Sequence, residues 1–215
     1  WRDGAIGGGF IATDDGFLDG TELTDAEDNV VDIGKYISVC GATVIHSNNY
    51  QSTGYISGIE ASYAGFIASL APQSAPTNKA VKGLRLIRDL KARKLDDMAG
   101  VRIVSLTNKP KGVVITDAPT AARPTSNYTR LTTVRIVKSI VNTIRDEADP
   151  FLGEPNSPAQ QQALKTLLET ALQSRISDGS LRRFDLKVSS TPQQRILGQL
   201  VIDLLLVPSF EVRFI

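Results

Sequence analysis

The chain has 215 residues, 41% hydrophobic and 22% charged, a balance typical of a globular protein with a sizeable core. Its 24 basic and 23 acidic residues give a net charge of +1, which argues against a general binder of nucleic acid or anionic membrane. Cys40 is the only cysteine, which excludes an internal disulfide and favours a reducing compartment.

The sequence shows neither a signal-peptide pattern in its first 25 residues nor an apolar run typical of a membrane span. No apolar run reaches the roughly 18 residues that a membrane span needs, and the Gly- and Asp-rich start does not resemble a signal peptide. The chain opens at Trp1 and its only methionine is Met98. We therefore expect these residues to be part of a longer polypeptide.

The N-terminal part begins with an acidic stretch and continues with strand and helix patterns. Residues 14–32 contain eight acidic residues and no basic one, which indicates a surface segment. Residues 35–45 are rich in β-branched side chains and predict a buried strand. Residues 58–70 predict a helix of small residues that ends before Pro72.

The middle of the chain completes a layered α/β pattern. Residues 81–99 predict a helix, with apolar residues at helical spacing and basic residues on its other sides. Residues 101–106 and 112–117 predict short strands separated by an Asn-Lys-Pro-Lys turn. This order of elements predicts a sheet covered by helices.

The second half predicts two long helices followed by strands. Residues 130–148 place apolar residues at alternating spacings of three and four, the pattern of a buried helical stripe. Ser157 starts the sequence Ser-Pro-Ala-Gln, which predicts an N-cap for a helix that closes at Gly179. The later segments LRRFDLKVSS, LVIDLLLV and FEVRFI predict strands, with Pro208 between the last two.

Candidate catalytic residues are few. His46 is the only histidine, and it lies six residues after Cys40. In one extended strand the two side chains would share a face but lie about 20 Å apart, too far for a Cys-His dyad. We therefore interpret Cys40 as structural and His46 as a surface residue.

Metal and phosphate motifs are also incomplete. The run DDGFLDGTELTDAED is similar to a calcium loop, but counting from Asp15 puts Phe17 and Ala26 where carboxylates are needed. The glycines at 7–9 lack the spacing of a P-loop or a dinucleotide fingerprint. We therefore interpret the acidic run as a solvated surface loop and the glycines as a flexible or tightly turned loop. We expect no catalytic, metal or cofactor site.

The basic residues of 82–94 have three interpretations: a solvated face, a contact between subunits, or a nucleic-acid surface. The acidic stretch at 14–32 favours complementary patches on identical copies over phosphate binding. The residues predicted for such contacts are Lys82, Arg85, Arg88 and Lys91 on the basic side and Asp14, Asp15 and Asp19 on the acidic side.

A series of segments over roughly residues 35–215 resembles the tail sheath proteins of contractile-tailed bacteriophages. In order they are SYAGFIASL, APTNKAVKGL, KGVVITDAPTA, YTRLTTVRIVKSIVNTIR, FLGEPNSPAQQQALKTLLE, DGSL and GQLVIDLLLVPSFEVRFI. The sharpest points are the Ala-Gly helix before Pro-Thr-Asn-Lys, the turn Gly153, Glu154, Pro155 and Asn156, and the proline-broken strands at the end.

The resemblance implies a structural protein rather than an enzyme, without cofactors. Sheath proteins stack as rings around an inner tail tube and contract to drive the tube through the host envelope. The implied partners are copies of the chain itself, the inner tail tube protein, and the baseplate and tail terminator proteins, with no nucleic acid and no membrane insertion. The implied location is the virion tail, assembled in the host bacterial cytoplasm.

The resemblance also implies a domain plan and a fold class, α/β (α+β). Residues 1–125 would be the C-terminal part of a layered sheath domain, and 126–207 a conserved C-terminal domain whose sheet is completed by arms of neighbouring subunits. Residues 208–215 would be such an arm, with Pro208 as its hinge. Residues 200–207 would be a strand of the subunit's own C-terminal sheet. The arm residues are Phe210, Glu211, Val212, Arg213, Phe214 and Ile215.

Two alternatives stay open from the sequence. A sheath subunit of a tailocin or a type VI-like injection system would have the same mechanics and the same patterns. A cytoplasmic α/β enzyme or nucleotide-binding domain would instead have a concave pocket and a terminal strand paired within its own chain.

Overall fold

The computed structural model describes residues 32–48, 51–123 and 125–211. It shows a mixed α+β protein of small sheets and helices, which confirms the predicted class. The chain divides into two compact units, one reaching Val134 and including Glu211, the other comprising Arg135–Phe210. The division lies later than the boundary predicted between residues 125 and 126, inside a helix that contributes to both units.

Within the described residues, the first unit contains seven short strands. Its elements in chain order are a 3₁₀ turn at Ile33–Tyr36, β1 at Val39–Cys40, β2 at Thr43–Asn48, β3 at Gln51–Gly58, α1 at Glu60–Ala68, β4 at Leu84–Leu86, α2 at Ala92–Gly100, β5 at Ile103–Val104, β6 at Leu106–Lys109 and β7 at Gly112–Ile115. The helix α3, at Leu131–Ala148, begins in this unit.

Among the described residues, these strands form three small sheets. Strand β2 lies between β3 and β4 in an antiparallel sheet, β6 and β7 form a hairpin, and β1 pairs in parallel with β5. Their inward side chains share one core with the first helix, which includes Val44, Ile59, Tyr63, Val104 and Ile115. Burial of this apolar surface holds sheets too small to be stable alone.

The helix predicted over residues 81–99 is wrong in its first half. Leu84 and Leu86 instead belong to β4, which pairs with β2 through His46 and Val44. Leu84 and Leu86 fit a period of two, whereas Leu84 and Ile87 fit a helical period, so the local pattern allows both structures. Packing of Leu84 and Leu86 on the core that contains Val44 selects the strand. The helix starts only at Ala92.

The continuous strand predicted over residues 35–45 is also wrong. A 3₁₀ turn, β1 and β2 replace it, and β1 and β2 lie in different sheets. The chain passes between them at Gly41, where an added Cβ would lie 2.4 Å from Ile103 Cγ2 and 2.6 Å from Met98 Cε. The backbone approaches its neighbours too closely there for a larger residue.

The second unit is a helical pair under a two-stranded sheet. Its elements are the larger part of α3, a 3₁₀ turn at Asp149–Phe151, α4 at Pro158–Ser177, β8 at Leu181–Ser189, α5 at Pro192–Ile196 and β9 at Val201–Pro208. The core contains Ile136, Ile140, Leu164, Leu168, Leu172, Leu181 and Leu186.

The helix α4 forms where its sequence signals lie. Ser157 Oγ accepts a hydrogen bond from the Gln160 backbone N–H at 3.2 Å, Pro158 occupies the first turn, and Gly179 follows the helix with φ of 81°. None of the helices in the described ranges combines the length and apolarity that crossing a bilayer requires.

Candidate functional site

The sheet of β8 and β9 lies on one side against α4 and the core of the second unit. The two strands are antiparallel from the Leu181 and Pro208 pair to the Ser189 and Val201 pair. Phe184, Leu186 and Val188 from β8 pack on the core, together with Ile202, Leu204 and Leu206 from β9. The period of two therefore turns one face of the sheet inward.

The other face of this sheet is exposed and mixed in character. Arg183 lies opposite Val207, Asp185 opposite Leu205, and Lys187 opposite Asp203. Leu205 is 62% exposed and Val207 36%. This face thus presents two apolar side chains framed by charges of both signs.

Both outer edges of the sheet are available within the described part of the chain. Strand β8 pairs only with β9, and β9 only with β8. Backbone N–H and C=O groups at such edges need partners, and an added extended segment supplies them through main-chain hydrogen bonds.

The turn Gly153, Glu154, Pro155 and Asn156 is fastened to the loops around α5. Asn156 Nδ2 donates to the Gln199 carbonyl oxygen at 3.0 Å, and Gln161 Nε2 donates to Asn156 Oδ1 at 2.7 Å. Gly153 has φ of 90°, a conformation that side chains with a Cβ avoid. The turn therefore ties the start of α4 to the connection between β8 and β9.

The strand predicted at 200–207 is present as β9, and it ends at Pro208, the predicted hinge position. Pro208 is buried, and the next residue still follows the partner strand, because Ser209 N–H donates to the Ser180 carbonyl at 3.0 Å. The prediction of a hinge stays a prediction.

Glu211 lies against its own chain, in the first unit. Thr132 Oγ1 donates to Glu211 Oε2 at 2.7 Å, and Arg130 Nη1 donates to the Glu211 carbonyl at 3.2 Å. Thr132 is buried in the first turn of α3, where the helix dipole favours a carboxylate. The contacts attach the base of the predicted arm, whose residues Val212, Arg213, Phe214 and Ile215 lie outside the described residues.

The basic residues predicted for subunit contacts do not share a helix. Arg85 lies on β4, whereas Lys82, Arg88 and Lys91 lie in the segments that flank it. All four are exposed. Their predicted partners Asp14, Asp15 and Asp19 lie outside the described residues, so this pairing stays a prediction.

His46 is held between β3 and α1. Ser57 Oγ donates to the Gly58 carbonyl at 2.8 Å and forms a hydrogen bond with His46 Nε2 at 2.6 Å. Ser62 Oγ forms a hydrogen bond with Nδ1 at 3.3 Å, and the Tyr55 ring stacks at 4.6 Å. The imidazole thus joins a hairpin to a helix, and its hydrogen-bond partners are serines rather than Cys40.

Cys40 lines a cavity of about 660 Å³ together with Glu60, Lys94, Asp97 and Met98, among other residues. Burial, and after it the charge of Glu60, raise the pKa of the Cys40 thiol to about 12. A thiolate is therefore disfavoured at this position, which fits the structural interpretation of Cys40.

We expect iodoacetamide to modify Cys40 in the folded chain at pH 8 far more slowly than in urea. Because the pKa is raised from 9.0 to about 12, the thiolate fraction falls by roughly a thousandfold. Because the folded state has the higher pKa, the contribution of this thiol to the free energy of unfolding is full below about pH 9 and is lost as the pH rises to about 12. Mass spectrometry measures the rates, and equal rates in both states would contradict the burial of Cys40.

Sequence reasoning missed the Glu211 contacts and the network around Asn156. Three of these hydrogen bonds, the two to Glu211 and the one from Asn156 to Gln199, join residues 43 to 81 positions apart in the chain. The resemblance did identify the 153–156 turn, but no local pattern shows what a turn side chain will contact.

A scan against models of protein families and a search of curated proteins both find no match for this sequence. Solved structures do match. A chain in the baseplate of the anti-feeding prophage has a TM-score of 0.74 at 15% identity, covering 89% of this chain and 57% of that one. A chain in the contracted sheath complex of PVC, an extracellular contractile injection system, has a TM-score of 0.74 at 17% identity, covering 94% and 60%.

A sheath tail protein from Listeria innocua also matches, with a TM-score of 0.63 at 16% identity, covering 79% of this chain and 42% of that one. The chain thus spans between about two fifths and three fifths of the length of these structures. At such identities the similarity shows that this chain shares its fold with these three structures.

Proposed function

We propose that this chain is part of a sheath subunit of a contractile injection apparatus, a structural protein and not an enzyme. In this proposal copies polymerise around an inner tube, and contraction of the polymer drives the tube through a host envelope. The fold shared with sheath structures over 79% to 94% of the chain supports it.

The observation that carries the proposal is the β8 and β9 sheet with its two open edges. One face is stabilised by α4, so the sheet keeps its shape while its edges receive strands from neighbouring copies. A contact of this kind is heterologous and does not close, and repetition of it generates a helical polymer. Main-chain pairing also survives rigid-body rotation of subunits during contraction.

In the proposal the strand that this chain gives to a neighbour comes from its C-terminal arm. Phe210 is 57% exposed, and Val212 and Phe214 follow it at the spacing of one strand face. Because Glu211 is held by Thr132 and Arg130, the lent segment would begin at Val212.

The remaining partners are the inner tail tube protein and the baseplate and tail terminator proteins, and the location is a phage tail assembled in the bacterial cytoplasm. Between copies, the exposed Lys82, Arg85, Arg88 and Lys91 would face Asp14, Asp15 and Asp19.

An extracellular injection apparatus is the second candidate function. The observation behind it is the shared fold with a chain of the PVC sheath complex, over 94% of this chain.

The purified protein in its full-length form is expected to form hollow cylinders of stacked rings, visible by negative-stain electron microscopy. Open sheet edges that recruit strands predict assembly without limit along one axis. A monomer or a small closed oligomer at concentrations that should favour assembly would contradict the proposed function and favour the α/β enzyme alternative.

A further inference from the structure

Lysine side chains from a hairpin tip converge on Asn78. Lys109 Nζ donates to Asn78 Oδ1 at 3.0 Å, and Lys111 Nζ donates to the Asn78 carbonyl oxygen at 2.5 Å. Both lysines are exposed. Two ammonium groups therefore lie around one neutral residue at the surface of the first unit.

The backbone holds the two sides of this cluster in a fixed relation. Asn78 N–H donates to the Ile115 carbonyl at 2.8 Å, and Ile115 N–H donates to the Lys79 carbonyl at 3.2 Å, which attaches Asn78 to β7. The pairing of Lys109 with Gly112 leaves a two-residue turn between β6 and β7. Gly112, which directly follows this turn, has φ of 111°, a conformation that favours glycine.

Lys79 adds a third positive charge next to Asn78, with its ammonium group donating to Ser74 Oγ. In the ranges that the structure describes, no carboxylate forms an ion pair with Lys79, Lys109 or Lys111. Asp89 is nearby, but its Oδ1 accepts from Thr107 and Asn108 on β6 at 3.4 Å. Like charges gathered around neutral acceptors favour an incoming anion.

The sequence itself offers the anion. Its net charge is only +1, yet residues 14–32 hold eight of the 23 acidic residues and no basic one. Such separation of charge within one chain makes copies complementary to one another. Lysine heads are mobile point charges without a fork geometry, so they suit a run of carboxylates better than one shaped ligand.

We propose that Lys79, Lys109 and Lys111 form a docking site for residues 22–28 of a second copy of this chain. These residues are the part of the acidic segment 14–32 that follows the aspartates at 14, 15 and 19, which the proposed function pairs with other basic residues. The proposal rests on the proposed self-assembly, because a polymer brings that segment close at high local concentration. It assigns to the tip of the β6 and β7 hairpin a contact with a neighbour that is separate from the strand exchange at β8 and β9.

A labelled synthetic peptide of residues 22–28 tests the proposal, with binding to the full chain measured by fluorescence anisotropy. We expect binding that weakens about tenfold or more when NaCl is raised from about 50 to 200 mM, since the contacts are exposed charges. The double variant Lys109→Gln and Lys111→Gln is expected to weaken it roughly tenfold, because two ammonium contacts are lost.

The matched control is Lys165→Gln with Lys187→Gln, which removes the same charge from the second unit and should leave the affinity unchanged. Lys79→Gln gives an independent variant should the double one unfold, and circular dichroism checks each fold. Absence of binding by the peptide, an equal loss in both double variants, or equal binding of a peptide with Asn and Gln for Asp and Glu would each overturn the proposal. Tighter binding of a single-stranded oligonucleotide of equal charge would also overturn it.

This readout is separable from that of the proposed function. Peptide binding is measured at protein concentrations below assembly, whereas the proposed function is read from cylinders. Cylinders that form normally while the peptide fails to bind would overturn the docking site alone. Peptide binding by a protein that forms no cylinders would overturn the sheath function and keep the charge contact.

Discussion

A variant truncated after Glu211 is expected to fold normally but to form no long polymers. The deletion removes Val212, Arg213, Phe214 and Ile215, the part of the predicted arm beyond the attachment at Thr132 and Arg130. The home strand β9 and its last hydrogen bond, from Ser209 to Ser180, are kept. If the arm supplies a strand to the next copy, its loss removes several main-chain hydrogen bonds at every repeat of the polymer.

The measurement is the length distribution of polymers in negative-stain images, together with the melting temperature of the unassembled protein. We expect cylinders to be absent or reduced to short rings, and the melting temperature to change little, because the deletion leaves every contact described above intact. Cylinders of normal length from the truncated protein would contradict the arm hypothesis.

Substitutions in the intact arm test whether assembly depends on the side-chain pattern of the arm as well as on its length. Val212→Asp with Phe214→Asp places charges on the face predicted to pack on a neighbour, so we expect assembly to fail as in the truncation. Arg213→Asp lies on the opposite face and is the matched control, expected to retain cylinders. Equal effects of both changes would point to net charge rather than strand packing.

Leu168→Ala is expected to lower the free energy of unfolding by about 3 kcal/mol, within the range of 2 to 5 typical of buried leucines. Leu168 is 0% exposed at the centre of the second unit, among residues of α3, α4 and β8. Its truncation removes apolar contacts and leaves a cavity beneath the sheet. Urea unfolding followed by circular dichroism measures the change.

The neighbouring leucine provides the control. Leu167 is 37% exposed, and Leu167→Ala makes the same chemical change on the same helix, with an expected cost below about 1 kcal/mol. Because the β8 and β9 sheet rests on this core, Leu168→Ala should also impair polymer assembly at temperatures where Leu167→Ala does not. Equal losses of stability in the two variants would contradict the observed face of α4.

The long helices of the second unit were predictable because their signals are local. Ser157, Pro158 and Gly179 act within one turn of the ends of α4, and the apolar stripe of α3 repeats within its own length. The helix prediction for residues 81–99 failed because its first half is decided by contacts with a distant part of the chain. Its local pattern allows two periods, and pairing with β2 decided between them.

The candidate site was predictable only in outline. The resemblance located the C-terminal strands and the turn at Gly153, but the attachment of Glu211 to Thr132 joins residues that are 79 positions apart. The lysine cluster on Asn78 likewise joins residues 31 and 33 positions apart. Patterns that extend over a few residues cannot predict contacts between residues so far apart in the chain.

By itself, the sequence determined the mixed α+β class of the protein, the ends of its long helices, its separation of charge and the strand character of residues 201–208. These properties follow from backbone propensities, capping and periodicity, which act over a few residues. Only the tertiary structure decided that residues 84–86 form a strand, that Lys109 and Lys111 meet at Asn78, and that Glu211 closes on α3. Those outcomes depend on which distant surfaces pack together, since burial and hydrogen bonding across the fold outweigh local preference.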